Sequence, residues 1–305
     1  MQVPLLLLAI SLGAGLALQH VRAVPDNAHS ALNQYIINIA LPALALVHIP
    51  RITLHAGLLY PVGTAYIIFL SMMPLVVMVA GKSGWNRQTT GSVILAACLG
   101  NTAFLGYPII EALYGTEGLQ IALLVDQPGS FVVGSTFGIA VAGYYSSRKN
   151  GTGDVLRKVA TFPPFLVFCL ALVMNLTGIR VEGALLEVLK NLGATLTPIA
   201  LVSIGLQLRF SGIGEMLRPL AFGLFCKLVL APALIYFLYV TATGGKGLLV
   251  QVSILQAAMP PMITGAIIAS EYGLNARLST LLAGVGVVVS AVTLTIWYLV
   301  VQGAG

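Results

Sequence analysis

Ten apolar runs, each close to the thickness of a bilayer, fix what this chain can fold into. They cover approximately residues 3–21, 30–48, 57–80, 89–114 and 118–145, then 159–179, 185–207, 217–241, 247–271 and 277–301. A helix needs about 20 mostly apolar residues to cross a hydrocarbon core of about 30 Å. The runs therefore predict an all-α polytopic membrane protein with ten transmembrane helices. Their linkers are short, and the longest, from Tyr145 to Lys158, leaves no room for a further domain.

Composition agrees. Hydrophobic residues make up 58% of the 305, and Asp, Glu, Lys and Arg only 8%, against about 25% in soluble domains. That excludes a soluble enzyme and a disordered chain. The net charge of +6 comes from basic residues scattered singly through short gaps, with no basic face for nucleic acid. Cys98, Cys169 and Cys226 lie in apolar stretches at no metal-ligand spacing, and His20, His29, His48 and His55 form no HxxxH pair, so no metal or other cofactor is expected. Gly81-Lys82-Ser83 ends like a phosphate loop, but Val76 stands at the upstream glycine position. No enzyme is expected.

The first run, Pro4 to Leu18, has no basic residue in front and Arg22 behind, so it reads as a retained span and not as a signal peptide. With the spans numbered 1 to 10, alternate loops carry Arg22, Lys82, Arg87, Arg148, Lys149, Arg157, Lys158, Arg209, Arg218 and Arg277 on one side. The other side has Arg51, Arg180, Lys190 and Lys246. The excess of basic residues places the first side in the cytoplasm and both termini outside. The sequons at Asn150 and Asn175 carry little weight, since the first would face the cytoplasm.

The halves repeat. Ile39-Ala-Leu-Pro42 in span 2 corresponds to Thr195-Leu-Thr-Pro198 in span 7, with the prolines 156 positions apart. Tyr114-Gly115 and Tyr272-Gly273, after spans 4 and 9, lie 158 apart. Five crossings per copy oblige the second copy to enter from the opposite side. The chain is thus expected to hold two inverted five-helix repeats, 1–150 and 151–305, an arrangement suited to alternating access.

Spans 4 and 9 are the least helix-like. Span 4 holds Gly100, Asn101, Thr102, Gly106 and Pro108 at membrane depth; span 9 holds Gln256, Pro260, Pro261, Thr264 and Gly265. Proline removes an N–H and obstructs the carbonyl four residues earlier. Irregular backbone at that depth requires protein or a wet cavity around it, and paired broken helices point to a transporter site.

Two charges lie deep. Asp126 is about 12 Å and Lys227 about 15 Å along their spans at about 1.5 Å per residue. Either they form an internal pair, or Asp126 carries a coupling proton while Lys227 attracts an anion. Asn33, Gln34 and Asn38 in span 2, with Asn191, Thr195, Thr197 and Ser203 in span 7, fit a pathway and interhelical hydrogen bonds equally well.

Asn101-Thr-Ala-Phe-Leu-Gly-Tyr-Pro108-Ile-Ile with Tyr114-Gly115, Gln256-Ala-Ala-Met-Pro260-Pro261 with Glu271-Tyr272-Gly273, and Asn38-Ile-Ala-Leu-Pro42 resemble the auxin efflux carrier family over nearly the whole chain. The resemblance implies a fold like that of the sodium/bile-acid symporters, with broken, crossing helices 4 and 9. It implies a scaffold of spans 1, 2, 6 and 7, and a transport domain of spans 3–5 and 8–10. Asn101 matches the asparagine after the break in span 4, and Pro260 the crossover proline of span 9. Gly100, Thr102, Gln256 and Pro261 complete the expected substrate region; Gly100, Pro108 and Pro260 are its expected hinges.

The plant members have proline where this chain has Gly100 and glutamine where it has Pro261, and many have a long cytoplasmic loop that is reduced here to the Tyr145–Lys158 linker. These departures resemble the bacterial branch, linked to small carboxylates such as malonate or malate. The expectation is a secondary carrier for a small organic anion, working by an elevator motion in a bacterial plasma membrane. The alternative is a sodium-coupled symporter of the bile-acid type; coupling to H+ or Na+ stays open. Expected partners are the organic anion, the lipid bilayer and a second copy of the chain through the scaffold.

Overall fold

The computed structural model describes residues 2–21, 24–25, 27–146, 163–208 and 214–303. Arg22, Arg148, Lys149, Arg157, Lys158, Arg209 and the sequon at Asn150 lie outside the described residues. Within them every regular element is helical. The helices are α1 (Gln2–Leu18), α2 (Ala28–Tyr35), α3 (Leu41–His48), α4 (Leu59–Ser83), α5 (Arg87–Cys98), α6 (Tyr107–Val125) and α7 (Ile139–Tyr145). The second half adds α8 (Pro163–Thr177), α9 (Gly183–Ala194), α10 (Leu196–Gln207), α11 (Leu217–Phe225), α12 (Ala231–Tyr236), α13 (Leu248–Ala257), α14 (Ile263–Glu271) and α15 (Ala276–Gly303).

Several helices run on into π-helical turns. Ile36–Ala40 joins α2 to α3, Thr102–Gly106 precedes α6, Asp126–Phe131 follows it, and Cys226–Leu230 joins α11 to α12. Inside α6, Gly115 takes φ 64 and ψ −155, a left-handed conformation that glycine alone adopts without strain, so the helix bends there.

Among the described residues, six helical segments are long and apolar enough to cross a membrane: Ala28–Arg51, Ala56–Ser83, Thr102–Tyr145, Gly183–Gln207, Leu217–Ala242 and Ala276–Gly303. The shortfall from ten has a physical origin. Helices α1 and α8 have 17 and 15 residues, and the breaks after Cys98 and Ala257 leave α5, α13 and α14 as half-length pieces.

Contacts divide the chain into two compact units. The first comprises Met1–Ala56, Ala103–Leu123 and Ala160–Leu208. Here α1 packs along α10 through glycine. A Cβ on Gly205 would stand 2.8 Å from the Gly15 Cα and 2.6 Å from the Leu12 carbonyl oxygen. Small residues let two backbones approach in this way, and dispersion then replaces the hydrophobic drive that lipid does not supply. Gln19 Nε2 donates to the Gly205 and Leu208 carbonyls at 2.6 and 3.1 Å, closing the frayed end of α10.

The polar residues of this unit are spent on such bonds. Ser203 Oγ donates to Asn33 Oδ1 at 2.6 Å, Tyr35 and Thr195 hydroxyls share a bond of 3.0 Å, and Asn38 Nδ2 donates to Gln34 Oε1 at 2.9 Å. The Asn175 amide donates to the carbonyls of Ile49 and Ile52 at 2.9 and 2.7 Å. That sequon is already in structural use.

The second unit comprises Gly57–Thr102, Leu124–Val159 and Arg209–Gly305. Its centre is α5, where every residue from Thr89 to Cys98 is buried, as in a helix surrounded on all sides. It packs against α4, α7, α11, α14 and α15. Asn86 caps it by accepting from the Thr89 N–H at 2.8 Å. Asn275 caps α15 through the Leu278 N–H and also donates to Thr89 Oγ1 at 3.2 Å, so the starts of α5 and α15 are pinned together. Pro232 withdraws the N–H that would serve the Leu228 carbonyl, and Trp297 Nε1 covers that oxygen at 3.0 Å.

Candidate functional site

Both helix breaks lie within the second unit, and they meet. Helix α5 ends at Cys98, and Leu99 is extended at φ −110, ψ 118. Helix α13 ends at Ala257, and the chain through Pro260 and Pro261 reaches Met262 in an extended conformation before α14 begins. The Asn101 N–H donates to the Pro260 carbonyl at 2.8 Å, and the Met262 N–H donates to the Leu99 carbonyl at 3.0 Å. Gly100 and Pro261 are thereby opposed in an isolated antiparallel bridge.

This register explains the residues. Bonds from the flanking positions make Gly100 and Pro261 a non-hydrogen-bonded pair, the kind in which Cα atoms approach to about 4.5 Å. Pro261, which has no N–H, stands where none is required. Gly100, which has no side chain, stands where the opposite backbone comes closest.

The end of α13 leaves one carbonyl over. The Ala258 and Met259 N–H groups serve the carbonyls of Ile254, Leu255 and Gln256, and the extended chain beyond supplies no helical donor to Ala257. Lys227 reaches it: Nζ donates to Ala257 O at 2.6 Å. Lys227 lies in the π-helical turn before α12 and is 1% exposed. A Cβ on Gly100 would stand 3.0 Å from Nζ and 3.1 Å from Cε, so the lysine tip occupies the space that this glycine leaves.

Thr102 joins the remaining groups. Its hydroxyl donates to Asp126 Oδ1 at 2.6 Å, and its carbonyl accepts from Gln256 Nε2 at 3.2 Å. Gln127 Nε2 donates to Asp126 Oδ2 at 2.8 Å. Asn101, Thr102, Asp126, Gln127 and Gln256 are all buried. Gln256 Oε1 has no hydrogen-bond partner among the described residues. A small cavity is lined by Gly100, Thr102, Lys227 and Gln256, with Thr64, Ser130 and several apolar side chains also on its wall.

The structure thus brings together Gly100, Asn101, Thr102, Gln256, Pro260 and Pro261 at one crossing, with Lys227 on it and Asp126 attached through Thr102. Lys227 directs its hydrogen bond to the Ala257 carbonyl, whereas Asp126 is held by Thr102 and Gln127. Pro108 lies in the first turn of α6, outside the paired segments. Sequence reasoning passed over Thr64, Gln127 and Ser130. The run Asp126-Gln127-Pro128-Gly129-Ser130 is a polar, helix-breaking cluster inside an apolar span and signals itself; a lone Thr64 does not. It also passed over Glu111 in the first unit, which accepts from Thr197 Oγ1 at 3.3 Å.

Unwound backbone buried among apolar helices, cross-linked by its own hydrogen bonds and lined by a few convergent polar groups, is the construction of an integral membrane transport protein. The membrane transport protein family matches residues 1–298, and the chain belongs to it, in the auxin efflux carrier group. An uncharacterized transporter of Methanothermobacter thermautotrophicus is 26% identical over 285 residues, which cover 89% of this chain and 88% of that protein. One from Methanocaldococcus jannaschii is 26% identical, with 81% of each chain covered. The uncharacterized transporter YfdV of Escherichia coli K12 is 25% identical over 88% of this chain and 87% of its own.

Proposed function

We propose that this transporter is a secondary carrier for a small organic anion, with carboxylate as the recognised group. The observation that carries the reading is the hydrogen-bonded crossing at Gly100 and Pro261. From it two half-helices lead away, one opening at Thr102 and the other at Ile263. Their first N–H groups have no intrahelical acceptor, and the aligned peptide dipoles are positive at that end. Anions bind at helix starts for this reason. Asn101 and Thr102 offer polar side chains beside one start, and Lys227 brings a basic side chain to the same cavity.

The working arrangement we infer has ten spans in two inverted repeats, with both termini extracytoplasmic. Spans 1, 2, 6 and 7 form a scaffold, through which two copies could pair; spans 3–5 and 8–10 carry the substrate past it. Supporting this, contacts group most of spans 1, 2, 6 and 7 in one unit, and the crossing lies wholly in the other. Residues Ala103–Leu123, the far half of span 4 and the start of span 5, group with the first; the hinges of the proposed motion are Gly100, Pro108 and Pro260.

A thermal-shift screen of mono- and dicarboxylates on the purified protein tests the reading. A carboxylate that raises the melting temperature of the native chain, and does so less for Asn101→Ala, supports it. Stabilisation by neutral or cationic solutes alone would sink it.

A further inference from the structure

The side-chain nitrogen of Lys227 sits at the end of a broken half-helix, on an oxygen that no helical N–H serves. Three features converge there. The C-terminal end of a helix carries negative partial charge, and the Ala257 carbonyl is the oxygen that the end of the helix leaves without a helical donor. In carriers with discontinuous helices, freed carbonyls and half-helix ends of this kind are where coupling cations bind. Here the position already holds the side-chain nitrogen of Lys227, 2.6 Å from the carbonyl oxygen. Gly100 makes the fit sterically feasible, because any side chain on it would begin 3.0 Å from Nζ.

We infer that Lys227 is a tethered cation standing in for a dissociable alkali ion at the crossing. The inference rests on reading the crossing as the substrate region. A bound sodium or potassium ion leaves on each cycle, and its gradient then drives transport. A lysine does not leave. Its charge is part of the broken-helix pair, offsets the charge of an arriving carboxylate, and travels with the protein. The substrate anion therefore needs no co-bound metal cation. Gln256 Oε1, without a partner among the described residues and on the same cavity wall, is a second oxygen that an alkali ion would use if the lysine tip were removed.

Thermal stability of the detergent-purified full chain, in choline, sodium, potassium and ammonium chlorides at equal concentration, tests this without any substrate. Its outcome is therefore independent of whether a carboxylate is ever found. The native chain should melt within about 1 °C in all four salts. Lys227→Ala should melt lower in choline and recover by about 2–4 °C in sodium or ammonium, the shift expected of a weak ligand at several times its dissociation constant. A sodium- or potassium-specific rise in the native chain overturns the inference. So does a folded, monodisperse Lys227→Ala that melts alike in all four salts. If Lys227→Ala does not fold, Lys227→Ser takes its place, and if neither folds the native-chain arm decides alone.

Discussion

Gly100 and Pro261 stand opposite one another as the non-hydrogen-bonded pair of a two-stranded crossing in the second unit, with Asn101–Pro260 and Met262–Leu99 hydrogen bonds on either side. The pairing closes the backbone groups that two helix breaks expose, which is the condition for irregular chain at membrane depth. It also assigns opposite duties to two adjacent positions. Pro261 needs no N–H, and Met262 cannot lack one.

Met262→Pro should therefore be far more damaging than Pro261→Ala. The first removes the donor of a 3.0 Å bond and leaves the buried Leu99 carbonyl without it, at a cost of about 1–3 kcal/mol. The second changes a position whose N–H is unused. Melting temperatures of the two purified variants check this; equal losses would contradict the register.

Enlarging Gly100 tests the approach of Lys227. Alanine would place its methyl 3.0 Å from Nζ, and the flexible tip must shift. Valine adds bulk that no such shift accommodates. Gly100→Ala is expected to lose about 1 kcal/mol and Gly100→Val about 2–3 kcal/mol. Pairing Gly100→Val with Lys227→Ala should recover part of that loss, since the clashing atoms are gone.

The Thr102–Asp126 bond, at 2.6 Å between buried groups, should show in a double-mutant cycle. Thr102→Val and Asp126→Asn are each expected to destabilise, and their coupling energy to reach about 1–2 kcal/mol. Additive effects would mean that the two side chains act apart. Counterflow at several pH values on Asp126→Asn gives a second result: exchange that persists without pH dependence removes Asp126 as a proton carrier.

In the first unit, Gly15→Leu should be as harmful as a large core defect. The position faces the Gly205 Cα and the Val202 carbonyl, so a leucine would push α1 off α10. A loss of about 3 kcal/mol or more in unfolding free energy is expected, with little effect from Gly13→Leu, whose Cβ position is open.

Much of this was readable in advance. The apolar runs, and the glycine and proline residues at 100, 260 and 261, announce spans with two breaks, because each acts on its own stretch of backbone. The pairing of Gly100 with Pro261 is not written locally: it joins segments more than 150 positions apart. The partner of Lys227 was hidden for another reason. Depth along the span suggested Asp126, another charged side chain, whereas the oxygen that takes the bond is a main-chain carbonyl. It is left by the end of α13, which only the fold locates; Leu228, whose carbonyl takes the Trp297 N–H, is another main-chain oxygen served from a distant residue. Asn33, Thr195 and Ser203 left pathway and packing equally open; the Ser203–Asn33 and Tyr35–Thr195 hydrogen bonds show the packing use. Glu111 escaped notice because nothing around it in the sequence points to Thr197.

The central claim is that an anion site reorients at the crossing. Counterflow of a labelled carboxylate, chosen from the stability screen, into proteoliposomes preloaded with the unlabelled compound measures it directly. The account predicts trans-acceleration by the native protein and at least a tenfold loss, about 1.4 kcal/mol, in Asn101→Ala. Undiminished exchange by a correctly folded Asn101→Ala, or no trans-acceleration with any stabilising carboxylate, would contradict it.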